Sequence, residues 1–326
     1  MELKMKQEIK AEDLVMFKRT EQHNYVIWDA MMSSGKTQRI ISYMLNIHNR
    51  GFVFGAKQDR FIYVSPYLAE AHRIAATTSM GEAKTAKRVE GKIEYDESLP
   101  QAALKFCHPT AQNKDGSKVT GFVNLIENQA NIVSTHTLLK SLSSLNVDVS
   151  NYTLIIDEAL EPYEVDATIS GKELERFIKN SILSLDEDDM TLRFHRENFG
   201  RDGGNESVKD TRFEDFAEDC DKGLMFKVGG RVYRQFDLSL IGKFKRVIGM
   251  TYNYKGSAFD LLLQNGGINP HIEYFGKTVG EIKSLIKLNI DRKMNAVGVS
   301  TNPKTMIKDG NYPVLTKAYF EKDSEG

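Results

Sequence analysis

The run at 25–37, YVIWDAMMSSGKT, constrains this chain more than any other part of it. Tyr25-Val26-Ile27-Trp28 is short, apolar and β-favouring, as a strand buried on both faces must be. A small, polar turn follows. Residues 37–45 then set Ile40, Ile41, Met44 and Leu45 on one side of a predicted helix. Strand, tight turn and helix is the frame in which backbone N–H groups converge on a phosphate at a helix N-terminus. Ser33, Ser34 and Gly35 are small where the backbone has to come close. Lys36 can reach β- and γ-phosphates, and Thr37 can place its hydroxyl on Mg²⁺. Ala30 stands where the Gly-x4-Gly-Lys-Ser/Thr pattern has its first glycine. The turn needs a small residue there, and alanine is one. A chance Gly-Lys-Thr on a surface turn would lack the flanking strand and helix. ATP and Mg²⁺ are therefore the expected ligands, on Ser33 to Thr37.

The same alternation recurs downstream. Strands are predicted at 60–64, 131–135, 152–157 and 245–251, and helices at 68–76 and 137–145. This predicts an α/β fold, a parallel sheet with helices on both faces. Residues 1–24 read as a short helix or an approach segment. Between the fourth and fifth strands, about 161–243, lies a highly charged stretch with turn clusters at 185–189 and 200–205. It reads as an α+β insertion with helices at 172–184 and 213–220. Gly229-Gly230 sits between the two arms of a hairpin there. Further helices are predicted at 254–265, ending at Gly266-Gly267, and at 279–289.

The second chemical element is Leu154-Ile155-Ile156-Asp157-Glu158. An apolar strand ending in two carboxylates suits a hydrolytic nucleotide site. Asp157 would hold Mg²⁺, and Glu158 would orient or deprotonate a water. An acidic helix cap after a strand uses the same residue types. Thr251, after the fifth strand, lies where an open α/β sheet holds its ligand and could sense a γ-phosphate. Ser65 and Pro66, and Thr135 and His136, follow two other strands. Hydroxyls and helix starts there can hold a phosphate backbone without reading sequence, or simply cap helices. Gln22, upstream of the first strand, is a candidate for contacting adenine. Lys84, Lys87, Arg88 and Lys92, and Lys243, Lys245 and Arg246, form two loose basic clusters, either solvated faces or nucleic-acid tracks.

Composition narrows the setting. The net charge is −1, so bulk electrostatics do not announce a nucleic-acid binder, although a local basic groove can sit on a neutral body. Two distant cysteines, Cys107 and Cys220, make neither a disulfide framework nor a zinc cluster and fit a reducing compartment. The charged N-terminus lacks the apolar core of a signal peptide. No stretch approaches the roughly 18 apolar residues of a membrane span. A cytoplasmic protein is expected, with no membrane partner.

Taken together, AMMSSGKT, VSPYLAEAHRI, VSTHTLL, LIIDEAL and GMTYN resemble motifs I, Ia, Ib, II and III of superfamily 2 helicases of the DEAD/DEAH-box type, in the right order. The usual Ser-Ala-Thr is absent from the last. More narrowly, the chain resembles helicases encoded by tailed bacteriophages. That likeness is carried by residues 61–74, by Thr251-Tyr252 with Lys255-Gly256-Ser257, and by 315–319, and it covers nearly the whole chain. The resemblance implies RecA-like lobes with ATP between them. On this reading 1–276 is the ATP-binding lobe. Residues 277–326 are the start of an incomplete second lobe or a C-terminal extension. No motif V or VI is visible, so a partner or a missing segment would complete the site. Single-stranded nucleic acid, DNA by preference, would cross near Ser65, Pro66, Thr135 and His136, and Thr251 would couple it to ATP. Phage DNA metabolism in the host cytoplasm is the expected setting.

Three alternatives share parts of this pattern. A terminase-type packaging ATPase also tolerates an irregular phosphate loop, but adds a nuclease domain with clustered aspartates, which these residues do not show. Met32 to Thr37 is similar to thymidine kinase, whose zinc ribbon two distant cysteines cannot build. A nucleotide-gated nucleic-acid-binding protein without full motor activity would need only the first lobe.

Overall fold

The apolar runs line up side by side. In this computed structural model the described residues are 11–54, 59–80, 88–89, 92–93, 104–110, 117–142, 147–199, 208, 211–276 and 280–281. Met1–Gly276 is one compact unit. Of the second, Lys277–Gly326, only residues 280 and 281 are described. The first unit is built on β1 (Tyr25–Asp29), β2 (Arg60–Ser65), β3 (Phe106–Cys107), β4 (Asn131–Thr135), β5 (Tyr152–Asp157), β6 (Arg246–Thr251) and β7 (His271–Tyr274). They form one sheet in the order β7-β1-β6-β5-β2-β4-β3, and every pairing is parallel. The fold is α/β. All strands point the same way, so the loops that follow them gather along one edge, where open α/β sheets bind ligands.

Each central strand divides its side chains between two cores. Val26, Trp28, Phe61, Tyr63, Val133, Ile155, Ile248 and Met250 face one side. They pack on α1 (Ala11–Glu21), α2 (Lys36–Phe54) and α3 (Leu68–Met80) through residues such as Phe17, Ile40, Tyr43, Met44 and Ile74. Ile27, Ile62, Val64, Ile132, Leu154, Ile156 and Val247 face the other side. They meet α4 (Lys118–Glu127), α5 (His136–Lys140), α8 (Leu238–Gly242) and α9 (Ala258–Asn265), with α6 (Gly171–Lys179) and α7 (Glu214–Asp221) lying in the insertion. Strands buried on both faces read as continuous apolar runs, and this is why 152–157 and 246–251 show no alternation.

The charged segment between β5 and β6 has its own core, from Ile169, Leu174 and Phe177 through Phe194 and Phe216 to Met225 and Val232. Its hairpin Met225–Val228/Arg231–Gln235 turns on Gly229 at φ 59° and takes Tyr163–Val165 as a third strand. From Phe236 on, the chain rejoins the main sheet's core.

Several expectations are corrected. The helix expected over 172–184 ends at Lys179. Asn180 caps it and Ser181 turns left-handed at φ 57°, so residues 183–185 form a strand paired with Leu192–Phe194. The helix expected over 137–145 is the five-residue α5, capped by Ser141; residues 143–146 lie outside those described. Two strands of the main sheet were not expected, β3 and β7, and outside it neither were Arg88–Val89, Lys92–Ile93, Tyr163–Val165 and Leu192–Phe194. The turn cluster 200–205, the segment 315–319 and all of the helix expected at 279–289 but residues 280–281 lie outside the described residues.

Candidate functional site

The candidate phosphate loop takes its shape from two left-handed residues, Ser33 at φ 60° and Gly35 at φ 84°. A side chain on Gly35 would meet nothing within 4 Å. Ala30 N–H donates to Thr251 O at 3.0 Å, fastening the start of the loop to the end of β6. α2 begins at Lys36, and the ammonium of Lys36 donates back to the carbonyls of Ala30 (2.5 Å) and Met31 (3.2 Å). Burial lowers the pKa of Lys36, while Asp157, Asp29 and Glu158 act against that and favour the charged ammonium. Three carboxylates, at the ends of β1 and β5 and just past the latter, thus act on the charge of one lysine.

Asp157 ends β5, one strand from β6. Its Oδ2 accepts from Tyr63 Oη at 2.6 Å. Burial raises its pKa; the Tyr63 bond opposes this, and Glu70 and Glu158 add to it. The next residue, Glu158, is exposed and left-handed at φ 65°, with its N–H held on Met250 O at 2.9 Å. That turn lifts its carboxylate off the strand. The set has the residue types a magnesium nucleotide requires: a turn of small residues at a helix start, a lysine, a hydroxyl at Thr37 and a desolvated carboxylate. The half-buried Thr37 follows Lys36 in the first turn of α2.

The strand-end residues divide. Ser65 is 1% exposed, and its Oγ accepts from Tyr67 N–H at 3.4 Å. Pro66 is part-exposed and Tyr67 beside it is 68% exposed. Thr135 caps α5, its hydroxyl accepting from Leu138 N–H. His136 faces inward. Its Nε2–H donates to Asp157 O at 2.9 Å, and burial drives its pKa down to about 4, so the ring is neutral. The Thr251 hydroxyl lies 3.5 Å from the Tyr252 carbonyl.

Other candidates lie elsewhere. Gln22 is exposed and follows α1. Asp13, near the start of α1, pairs with Arg39 beside the 30–37 loop, so Gln22, past the other end of α1 and before β1, lies toward the opposite edge of the sheet from that loop. Lys245 pairs with Asp59 at 2.5 Å. Arg246 is buried and donates to the carbonyls of Glu21 and His23. Both stand at the start of β6, the edge away from the 30–37 loop. Lys84 and Lys87, and the side chains of Arg88 and Lys92, lie outside the described residues.

Sequence reading missed Asp29. It is 8% exposed, and its two oxygens accept from Asn253 N–H (2.8 Å) and Tyr254 N–H (3.0 Å). An aspartate closing an otherwise apolar strand was the available signal. It also missed Arg39, whose guanidinium donates to Asp13 and to Ser34 O and stacks 4.4 Å from the Phe275 ring.

No protein-family profile matches the chain. It is 26% identical over 307 residues to the SPbeta prophage-derived uncharacterized protein YonV of Bacillus subtilis (strain 168), covering 91% of this chain and 66% of YonV. Among solved structures it is similar to the Pyrococcus furiosus Hef helicase domain, with a TM-score of 0.37 and 11% identity over 86% of this chain and 40% of that one. A hypothetical ATP-dependent RNA helicase from Sulfolobus tokodaii gives a TM-score of 0.35 and 11% identity over 82% of this chain and 57% of that one.

Proposed function

We propose that this chain is the ATP-binding and hydrolysing lobe of a nucleic-acid helicase or translocase. The observation that carries the reading is that Lys36, Asp157 and Glu158 all follow or end strands at the same edge of one parallel sheet, with left-handed Ser33 and Gly35 in the turn before Lys36. Ser33, Ser34 and Gly35 bind the phosphates through backbone amides, Ser34 N–H leaving the Met31 carbonyl it now bonds, and Lys36 leaves the Ala30 and Met31 carbonyls to neutralise them. Thr37 and Asp157 hold Mg²⁺. Glu158, outside the strand and exposed, orients the attacking water and takes its proton. Single-stranded nucleic acid, DNA by preference, lies along the strand ends at Pro66 and Thr135, with Ser65 and His136 shaping the surface beneath. Thr251, bonded through its carbonyl to the phosphate loop, couples the two. A second RecA-like lobe comes from a partner or from sequence outside this chain. Resemblance to phage helicases, together with the prophage relative, supports a role in phage DNA metabolism in the host cytoplasm.

The test compares ATP binding and hydrolysis in wild type and Lys36→Ala, with and without single-stranded DNA. Wild type binds ATP, and DNA stimulates turnover; Lys36→Ala loses both. Absence of ATP binding by wild type sinks the reading. Binding without stimulation leaves a nucleotide-gated binding protein in its place.

A further inference from the structure

Asp29 joins two parts of the site that the chain keeps far apart. It is the last residue of β1, and the phosphate loop begins at the next position. Its buried carboxylate takes one backbone N–H on each oxygen, from Asn253 and Tyr254 in the loop that follows β6. Asn253 is left-handed at φ 57° and Tyr254 is fully buried, so the backbone there is bent to present both amides. The far end of the same loop is held likewise. Gly256 N–H donates to Asp260 Oδ2 at 2.8 Å, and Ser257 caps α9. Just before the first anchor Tyr252 stands 47% exposed, and between the two Lys255 is exposed. Lys36 feels the Asp29 charge directly.

We propose that Asp29 is a positioning residue that locks the 252–256 loop to the phosphate loop, so that nucleotide binding at Lys36 is transmitted to Tyr252 and Lys255. This rests on the nucleotide site proposed above. A carboxylate is required. Two converging N–H donors need two acceptor oxygens, and asparagine offers one oxygen and an NH₂ that opposes the second donor. The bonds reach the backbone of 253 and 254, so the identity of their side chains does not matter to the lock.

The experiment is hydrogen exchange on the full chain, read on peptides spanning 30–37 and 251–257, with and without Mg²⁺ and a non-hydrolysable ATP analogue. In wild type the nucleotide slows exchange in both segments. In Asp29→Asn it slows 30–37 but leaves 251–257 unchanged. Asn253→Gly keeps both amides, suits the left-handed backbone and behaves as wild type. In steady state Asp29→Asn keeps its KM for ATP while kcat falls about tenfold, the factor that one lost charge-assisted hydrogen bond supplies. The proposal is overturned if wild-type 251–257 ignores a nucleotide that protects 30–37, or if Asp29→Asn transmits normally. Protection of neither segment in wild type overturns the nucleotide site itself and this inference with it.

Discussion

Tyr63 donates its phenol to Asp157 across adjacent strands, Oη to Oδ2 at 2.6 Å. Tyr63 is paired in register with Ile155, two residues before Asp157, so both side chains leave the sheet on the same face. The bond therefore belongs to the core as much as to the site. It fixes one carboxylate oxygen, Oδ2, at the end of β5.

Removing that phenol has a signed pH dependence. Burial raises the Asp157 pKa and the Tyr63 bond restrains the rise, so Tyr63→Phe lets it rise further. A carboxyl whose folded pKa is raised is comfortable below its unfolded pKa and loses stability as pH climbs through the folded value. Tyr63→Phe accordingly costs most at neutral pH, about 1–3 kcal/mol for a carboxylate left short of a partner. The gap from wild type narrows as acid protonates Asp157. Melting temperatures between pH 4 and 8 check this; a gap independent of pH would contradict it.

His136 has the opposite sign. Its folded pKa, about 4, lies below the unfolded value of about 6.5. Between those limits the unfolded chain takes up a proton that the buried ring refuses. Stability therefore falls as pH drops from about 6.5 toward 4 and levels off below. His136→Gln can still donate an N–H to Asp157 O and does not titrate. Its melting temperature should fall less steeply than that of wild type across this window. Parallel curves would place the titrating group elsewhere.

What was legible in the sequence follows from how each residue is used. Strands buried on both faces announce themselves, as 152–157 and 246–251 do, because nearly every side chain must be apolar. Gly35 is legible because its left-handed backbone, φ 84°, restricts residue type. Edge strands are not. Phe106–Cys107 is two residues long, and His271–Tyr274 carries a histidine and a glutamate that turn to Arg19 and each other rather than to the core. The short helix Gly171–Lys179 is cut by Ser181, whose left-handed backbone no propensity marks. Arg246 reads as surface charge but is buried, because carbonyls of Glu21 and His23, over two hundred positions away, receive it. Asp29 acts through backbone amides, which leave no trace in the identities of Asn253 and Tyr254.

Gly121 tests packing on the face away from the phosphate-loop helix. It lies inside α4, where alanine ordinarily gains about 1 kcal/mol over glycine. Here a Cβ would fall 2.2 Å from the Thr110 carbonyl oxygen, a backbone atom without a rotamer to change. Overpacking of that kind costs roughly 1–3 kcal/mol, enough to cancel or reverse the gain. Gly121→Ala should therefore melt lower than wild type in thermal unfolding. A higher melting temperature would show that the 104–110 segment yields freely.

Gly276 tests the phosphate loop from behind. Its backbone is at φ 87°, and a Cβ there would stand 2.9 Å from Ser34 Cβ. Ser34 is confined as well. Its carbonyl accepts from Arg39, Arg39 stacks on Phe275, and its own Oγ is buried without a hydrogen-bond partner. Gly276→Ala carries about 1–3 kcal/mol of backbone strain, and the contact directs part of it into the loop that would hold phosphate. Nucleotide affinity should fall about tenfold, since 1.4 kcal/mol is a factor of ten. Ser34→Gly removes the opposing Cβ, so the double variant should regain most of the affinity while keeping the φ penalty in its melting temperature. A double-mutant cycle by titration with a fluorescent ATP analogue measures that recovery. Additive losses would mean that the strain never reaches the loop.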